Sequence, residues 1–432
     1  MDKVILQHLI SVPEKVLFTN MALTSEVYKS YRYCFIKENN LKRSCLMKYK
    51  PSFCPNPFCP MHEQRSPNKL TSVKQKKWYV LKGYRYILNG RAVQRYQCKI
   101  CRKGFSDRTF SINYWEKKHI DYNQLLFMLI SCMGLRAVSR AFKCSPRTIE
   151  NKLSRLTRQA VAVNSILREY VDLREDLSAD GFESYTVSQY FPNNFNLLVG
   201  KDSQFVYFFN FSQLRRKGHM TEAQRCKAET LKKLVPIASG EVKNRFAELT
   251  DEVVRLQYKS RYKQNLLIDT DEKKEYAAEL LQARYAMREK SEGFRLIHRR
   301  TSSRRPRTRF NPLFPVNYMD REIRKDLAEH VRESTRFGRN VNSALGRMEI
   351  YLFYHNYLKP FRINRKKRIF GTHAEAAGLN IKMVEKLLTQ WMKRRYFKSH
   401  LKLDLHAEKV WRRAYSTPGK LFMDILPAYV FS

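Results

Sequence analysis

Acidic residues are scarce in this chain: 40 Asp and Glu stand against 83 Lys and Arg, a formal charge of +43 with a pI near 10.0. A folded chain so unbalanced repels itself unless a polyanion neutralises it. Nucleic acid suits that need, because many dispersed Lys and Arg contacts to phosphate each release counterions. The basic residues run the whole length instead of forming a tail, which fits an extended track along DNA. Long apolar runs are also missing. The longest, residues 125–135, is too short to span a bilayer, so no membrane partner is expected. Asp2 and Lys3, then a short apolar stretch broken by Pro13, lack the pattern of a signal peptide. Nine cysteines in 432 residues do not make a disulfide scaffold. A reducing cytoplasm is expected, with some thiols binding metal. The length suggests roughly three domains at about 150 residues each.

What is present becomes informative at Cys54. CPNPFCPMH pairs Cys54 with Cys59, and YQCKICRKGF pairs Cys98 with Cys101. Two close pairs supply four thiolates for tetrahedral Zn²⁺, and four protein ligands leave no open position, so the metal would be structural. The stretch between them reads as two strands joined at Asn89-Gly90, a favoured hairpin turn. This is a zinc-ribbon arrangement, with His62 a possible replacement ligand and His119 a more remote one.

Apolar residues then recur at helical spacing: Leu125, Leu126, Met128, Leu129, then Val138, Ala141, Phe142, then Ile149, Leu153, Leu156. Gly134 separates the first two helices, and Ser145 caps a third with Pro146 at its first position. That is helix-turn-helix grammar, with residues 145–155 as recognition helix. Arg147, Thr148, Asn151 and Lys152 are expected to face DNA.

Strands follow. LSADGFESYTVSQY, FNLLVG and QFVYFFNFS are expected to form an antiparallel meander carrying Asp180 and Glu183. Residues 213–263 are basic and mostly helical, an insertion expected to lie over the sheet. NLLIDTDEKKEY is the fourth strand and delivers Asp269 and Asp271 to its C-terminal end, where open α/β sheets gather their chemistry. Residues 294–298 make a fifth. The loop RRTSSRRPRTR, with Arg304 and Arg305, offers guanidinium groups suited to bidentate phosphate contacts. A helix is then expected from Asn317, with Ile323, Leu327 and Val331 on its buried face and Asp320 at that face's edge. Further helical units follow to the end of the chain. Asp180, Asp271 and an acid on the late helix would form an oxygen-ligand set for Mg²⁺ or Mn²⁺. Two such ions roughly 3.5–4 Å apart activate a water or a 3′-hydroxyl at a phosphodiester.

This order resembles bacterial insertion-sequence transposases of the DDE class. The resemblance covers roughly residues 50–360, on CPNPFC…CKICRKGF, GLRAVSRAFKCSPRTIENKL, SADGFESY, IDTDEKKEY and REIRKDLAEHVRESTRFGRN. It implies a multidomain α+β protein. Residues 1–50 have no clear role, 51–115 would be the zinc ribbon and 120–165 the helix-turn-helix. Residues 172–360 would be a ribonuclease-H-like α/β catalytic domain with the helical insertion, and 361–432 a basic helical C-terminal region. Asp180 matches the first acid of such enzymes, and Asp271 the second, with Tyr276 five residues on as in related elements. Asn317 stands where relatives carry glutamate. Asp320 is the nearest acid and is taken as the third, with Glu322 and Glu333 as alternatives. The implied activity is metal-dependent hydrolysis and strand transfer at terminal inverted repeats, by a homo-oligomer on double-stranded DNA in a bacterial cytoplasm, at the nucleoid. A transposase-derived DNA-binding regulator without catalysis is the alternative.

Overall fold

The structure, a computed structural model, describes residues 50–63, 77–86, 92–262, 264–290, 295–302, 304–331, 335–362, 364, 369–420 and 426–431. The Asn89-Gly90 turn, Phe294 and Glu333 lie outside them. Residues 52–432 pack as one compact unit. Among the described residues it is mixed α/β, with twelve α-helices and two sheets.

The first part is the short helix α1 (Pro60–Glu63) and an antiparallel sheet of β1 (Tyr79–Tyr86), β2 (Ala92–Cys98) and β3 (Gly104–Ser106), in that order. Aromatic rings hold it together: Tyr96 stacks on Phe105, and Phe105 on Trp78.

Helices α2 (Tyr122–Leu129), α3 (Leu135–Ala141) and α4 (Pro146–Arg168) follow. Ser145 caps α4 by accepting from the Thr148 N–H at 3.2 Å, and Pro146 occupies the first turn, where no N–H is needed. The helix does not stop at Arg155. Every side chain from Leu156 to Val163 is buried, so α4 crosses the interior where a free recognition helix would end at the surface. Arg158 Nε donates to the Trp411 carbonyl at 3.1 Å, and the Gln159 amide reaches the Trp391 and Arg394 carbonyls. The C-terminal segment therefore braces the same helix whose start has the helix-turn-helix grammar.

The second sheet contains β4 (Leu177–Tyr185), β5 (Pro192–Gly200), β6 (Val206–Gln213), β7 (Leu266–Thr270) and β8 (Leu296–Arg300), in the order β6-β5-β4-β7-β8. The first three form the expected meander, and β7 and β8 run parallel to β4. The fifth strand begins at Leu296, two residues later than expected. Between β6 and β7 come α5 (Glu222–Leu234), with no buried residue, and α6 (Glu241–Lys259). Helix α6 lies on β5 and β6 with Phe246, Leu249, Val253 and Leu256 inward, one face at helical period. Helix α7 (Lys274–Lys290) connects β7 to β8.

On the sheet's other face α8 (Phe314–Asp326) packs against β4 and β5. It ends at Asp326, before Leu327 and Val331, and Val331 is 37% exposed, against the expectation of a helix with Ile323, Leu327 and Val331 on one buried face. The chain turns at Leu327 because its next side chains have other partners. Glu329 pairs with Arg347 at 2.8 Å, and His330 packs edge-on against Phe182 and Phe195. Helices α9 (Val341–Tyr357), α10 (His373–Ala376), α11 (Ile381–Trp391) and α12 (Leu405–Trp411) complete the chain. Among the described residues no helix is long and apolar enough to cross a membrane.

Helices α4 and α9 meet at Gly346, whose carbonyl accepts from Thr157 Oγ1 at 3.3 Å. A β-carbon at Gly346 would lie 2.6 Å from that oxygen. Gly346→Ala is expected to cost about 1–3 kcal/mol in chemical denaturation. Gly134→Ala, where nothing lies within 4 Å, is expected to change stability little.

Candidate active site and metal centre

Cys54 and Cys59 flank a tight turn before α1, while Cys98 ends β2 and Cys101 follows it. The four sulfurs lie within 4.8 Å of one another, with Cys54–Cys101 at 3.6 Å and Cys59–Cys98 at 3.8 Å. A tetrahedron of thiolates about 2.3 Å from zinc has edges of about 3.8 Å, so the group fits such a metal in both chemistry and size. Burial, with the Cys101 and Cys98 sulfurs, pushes the Cys54 thiol well up, and a bound cation is what would hold four thiolates there. His62 is not part of the set. Its Nδ1 donates to the Cys54 carbonyl at 2.6 Å, which leaves Nε2 to accept from the Ser399 hydroxyl at 2.5 Å. Both ring nitrogens are thus used in tying the cysteine turn to the C-terminal segment. His119 is exposed and outside the cluster.

The second site arises from a parting of strands. β4 and β7 pair only through Leu177↔Ile268 and Ser178↔Asp269. Beyond that point Asp180 on β4 and Asp271 just past β7 line the notch. Asp180 Oδ1 accepts from the Gly181 N–H at 2.6 Å, and Asp271 Oδ1 from the Lys273 N–H at 3.1 Å at the approach to α7. Lys273 Nζ bridges the two acids, 3.5 Å from Asp180 Oδ1 and 3.4 Å from Asp271 Oδ2, and donates to Tyr276 Oη at 3.3 Å. Tyr276 is fully buried and stacked on Phe246 with ring centroids 3.9 Å apart. Helix α8 brings Asp320 toward the same notch. Burial raises its carboxyl to about 7, the Asp180 charge adds to the rise, and Arg324, Arg307 and Lys273 oppose it. Asp320 Oδ1 is buried with no hydrogen-bond partner. Asn317 lies three residues earlier on α8, hence beside it on the helix surface.

Among the described residues, the four cysteines are the one group of three or more ligating side chains that converges on a point. Asp180 and Asp271 are held around the Lys273 ammonium, while Asp320 Oδ1 is buried without a partner. Their oxygens are hard donors of the kind a divalent cation takes, but the three acids do not converge on one point.

Other acids are committed elsewhere. Asp269 is fully buried and held by Lys201 and by a two-pronged Arg299 contact at 2.5 and 3.0 Å, fastening β7 to β8. Glu322 is also buried, which alone would raise its pKa, but Lys325 at 2.8 Å and Lys359 at 2.6 Å bring it below the usual range. Its charge is already neutralised.

At the start of α4, Arg147 and Asn151 are exposed and Thr148 is half-buried, its hydroxyl 3.0 Å from that of Ser145. Lys152 does not face solvent as expected. It is 3% exposed, ion-paired with Glu116 and set over the Tyr122 ring, because three residues after Ile149 it falls on the helix's inner flank. Arg304 and Arg305 lie in a wholly exposed stretch from 304 to 310. Lys273 was missed in reading the sequence; a lysine two residues after Asp271, at a helix start, was the available signal. No family model, curated protein or solved structure matches this chain.

Two measurements test these centres. Cys98→Ser is expected to lose the chain's bound zinc, read by chelator titration. For Asp320 the folded pKa lies above the unfolded one, so its stabilising contribution is present below about pH 4 and lost as pH rises through about 7. Asp320→Asn is expected to match wild type at pH 4 and to exceed it by roughly 2–4 kcal/mol at pH 8 in denaturant melts.

Proposed function

We propose that this chain is a DNA transposase of the DDE class, with a structural zinc ribbon, a helix-turn-helix and a ribonuclease-H-like catalytic fold. The observation that carries the reading is where the acids stand in the sheet. Asp180 lies on the first strand of a five-stranded sheet whose first three strands are antiparallel and last two parallel. Asp271 follows the fourth strand, and Asp320 lies on the helix after the fifth. That order and those positions are what such a fold would need.

In this reading Asp180, Asp271 and Asp320 hold Mg²⁺ or Mn²⁺, which when bound would supply an activated water or 3′-hydroxyl and stabilise the leaving oxygen. The protein's own groups do the rest. Lys273 must leave the gap between Asp180 and Asp271, and its reach then makes it a donor to the scissile phosphate. The exposed Arg304 and Arg305 hold flanking phosphates, and Arg147, Thr148 and Asn151 meet the duplex of the terminal inverted repeats. Joining two ends calls for a homo-oligomer on DNA, working at the nucleoid of a bacterial cytoplasm.

A second reading, a transposase-derived regulator that binds DNA without cutting it, is favoured by one observation: Lys273 already neutralises two of the three acids. Strand nicking of end-containing DNA in Mg²⁺ or Mn²⁺ separates the two. Wild type is expected to nick, with Asp180→Ala, Asp271→Ala and Asp320→Ala each reduced by about 10²–10³-fold or more while still binding DNA. Glu333→Ala is expected to retain activity. Binding without nicking in wild type would establish the regulator.

A further inference from the structure

Strand β1 carries a feature that neither metal centre uses. From Val80 to Tyr86 every residue is exposed, including Leu81 at 63%, Tyr84 at 57% and Tyr86 at 73%. Strict alternation would put Leu81 and Tyr84 on opposite faces. A bulge between them shifts the register, so Leu81, Tyr84 and Tyr86 stand opposite Tyr96, Gln94 and Ala92, alternate residues of β2. All three therefore share one face. The bulge uses Gly83 at φ +69°, a conformation that favours glycine. Successive side chains of the stripe are about 7 Å apart, twice the rise of a stacked base step.

The surrounding charge is of one sign. Residues 64–106 contain twelve Lys and Arg and no Asp or Glu. Lys82 and Arg85 on β1, and Arg95, Lys99, Arg102 and Lys103 nearby, are all exposed. A second copy of this chain carries +43 itself and is repelled from such a surface. A polyanion is attracted. Duplex DNA turns its phosphates outward and keeps its base faces stacked inside, so it has little use for exposed rings. An unpaired strand offers both phosphate and base face.

We propose that the β1 face is a stacking platform for single-stranded DNA, with Tyr84 and Tyr86 under the bases and the exposed cations around the stripe, Lys82 at the bulge among them, drawing in the backbone. The proposal rests on the transposase reading only for the source of the strand, which nicking at an element end would release.

The test is fluorescence anisotropy of the full-length chain with labelled oligo(dT) and, separately, a mixed-sequence duplex, at fixed salt. The double variant Tyr84→Ala/Tyr86→Ala is expected to weaken oligo(dT) binding at least tenfold and duplex binding less than twofold, with zinc content unchanged. Tyr84→Phe/Tyr86→Phe, which keeps the rings, is expected to bind like wild type. Equal losses on both DNAs, or no loss on oligo(dT), would overturn the platform. So would a wild-type dimer that the double Ala variant abolishes, which would mark the stripe as a self-association surface. None of these readouts depends on Mg²⁺ or on cleavage, so a chain that never nicks can still support the platform, and one that nicks can still refute it.

Discussion

An ammonium held between two carboxylates sets the arrangement of the acidic notch. Lys273 Nζ stands 3.4 and 3.5 Å from Asp271 and Asp180, where β4 and β7 part and no backbone pairing remains to hold the two strand ends together. Without a cation the two like charges would be forced into a partly buried space and would repel. The lysine is itself fixed: it donates to Tyr276, which is stacked on Phe246 of α6 and buried beneath the sheet. A helix remote in sequence thereby positions the charge that keeps the notch assembled.

The same face of the sheet carries a row of buried amides. Asn194 donates to Asn196 at 2.7 Å, Asn196 to Asn210 at 3.0 Å, and Asn210 to the Arg245 carbonyl of α6 at 2.5 Å. Buried polar groups are costly unless partnered, and a continuous row satisfies each in turn. Gly181 opposite Asn196 makes room for it: a β-carbon there would meet Asn194 and lie 2.8 Å from Tyr276 Oη. The acids approach from the other face, where Arg324 lies over Phe182 and α8 supplies Asp320. The notch is thus built at a seam between an amide-lined face and an aromatic one.

Helix α4 gives the unit its continuity. Its start is exposed and polar, and its middle is buried on all sides by α9 and the C-terminal helices. A second tie runs through His62, which joins the cysteine turn to Ser399. The four-cysteine group and the C-terminal segment are therefore parts of one packed body, although they read as separate in sequence.

Several features were legible because they depend on neighbours in the chain. The paired spacing of Cys54, Cys59, Cys98 and Cys101, the Ser145-Pro146 start of α4, the meander β4-β5-β6 and the short strand β7 all rest on local period, capping or ligand chemistry. The strong positive charge was equally plain. What depends on distant contacts was not legible. Burial of Lys152 needed Glu116 and Tyr122, and Lys359, which pairs with Glu322 beside the local Lys325, and the arginine that occupies Asp269 come from other elements. The end of α8 at Asp326 was decided by partners for Glu329 and His330. A sequence lists its charges, but which of them cancel depends on distances of a few ångströms that only the folded chain creates.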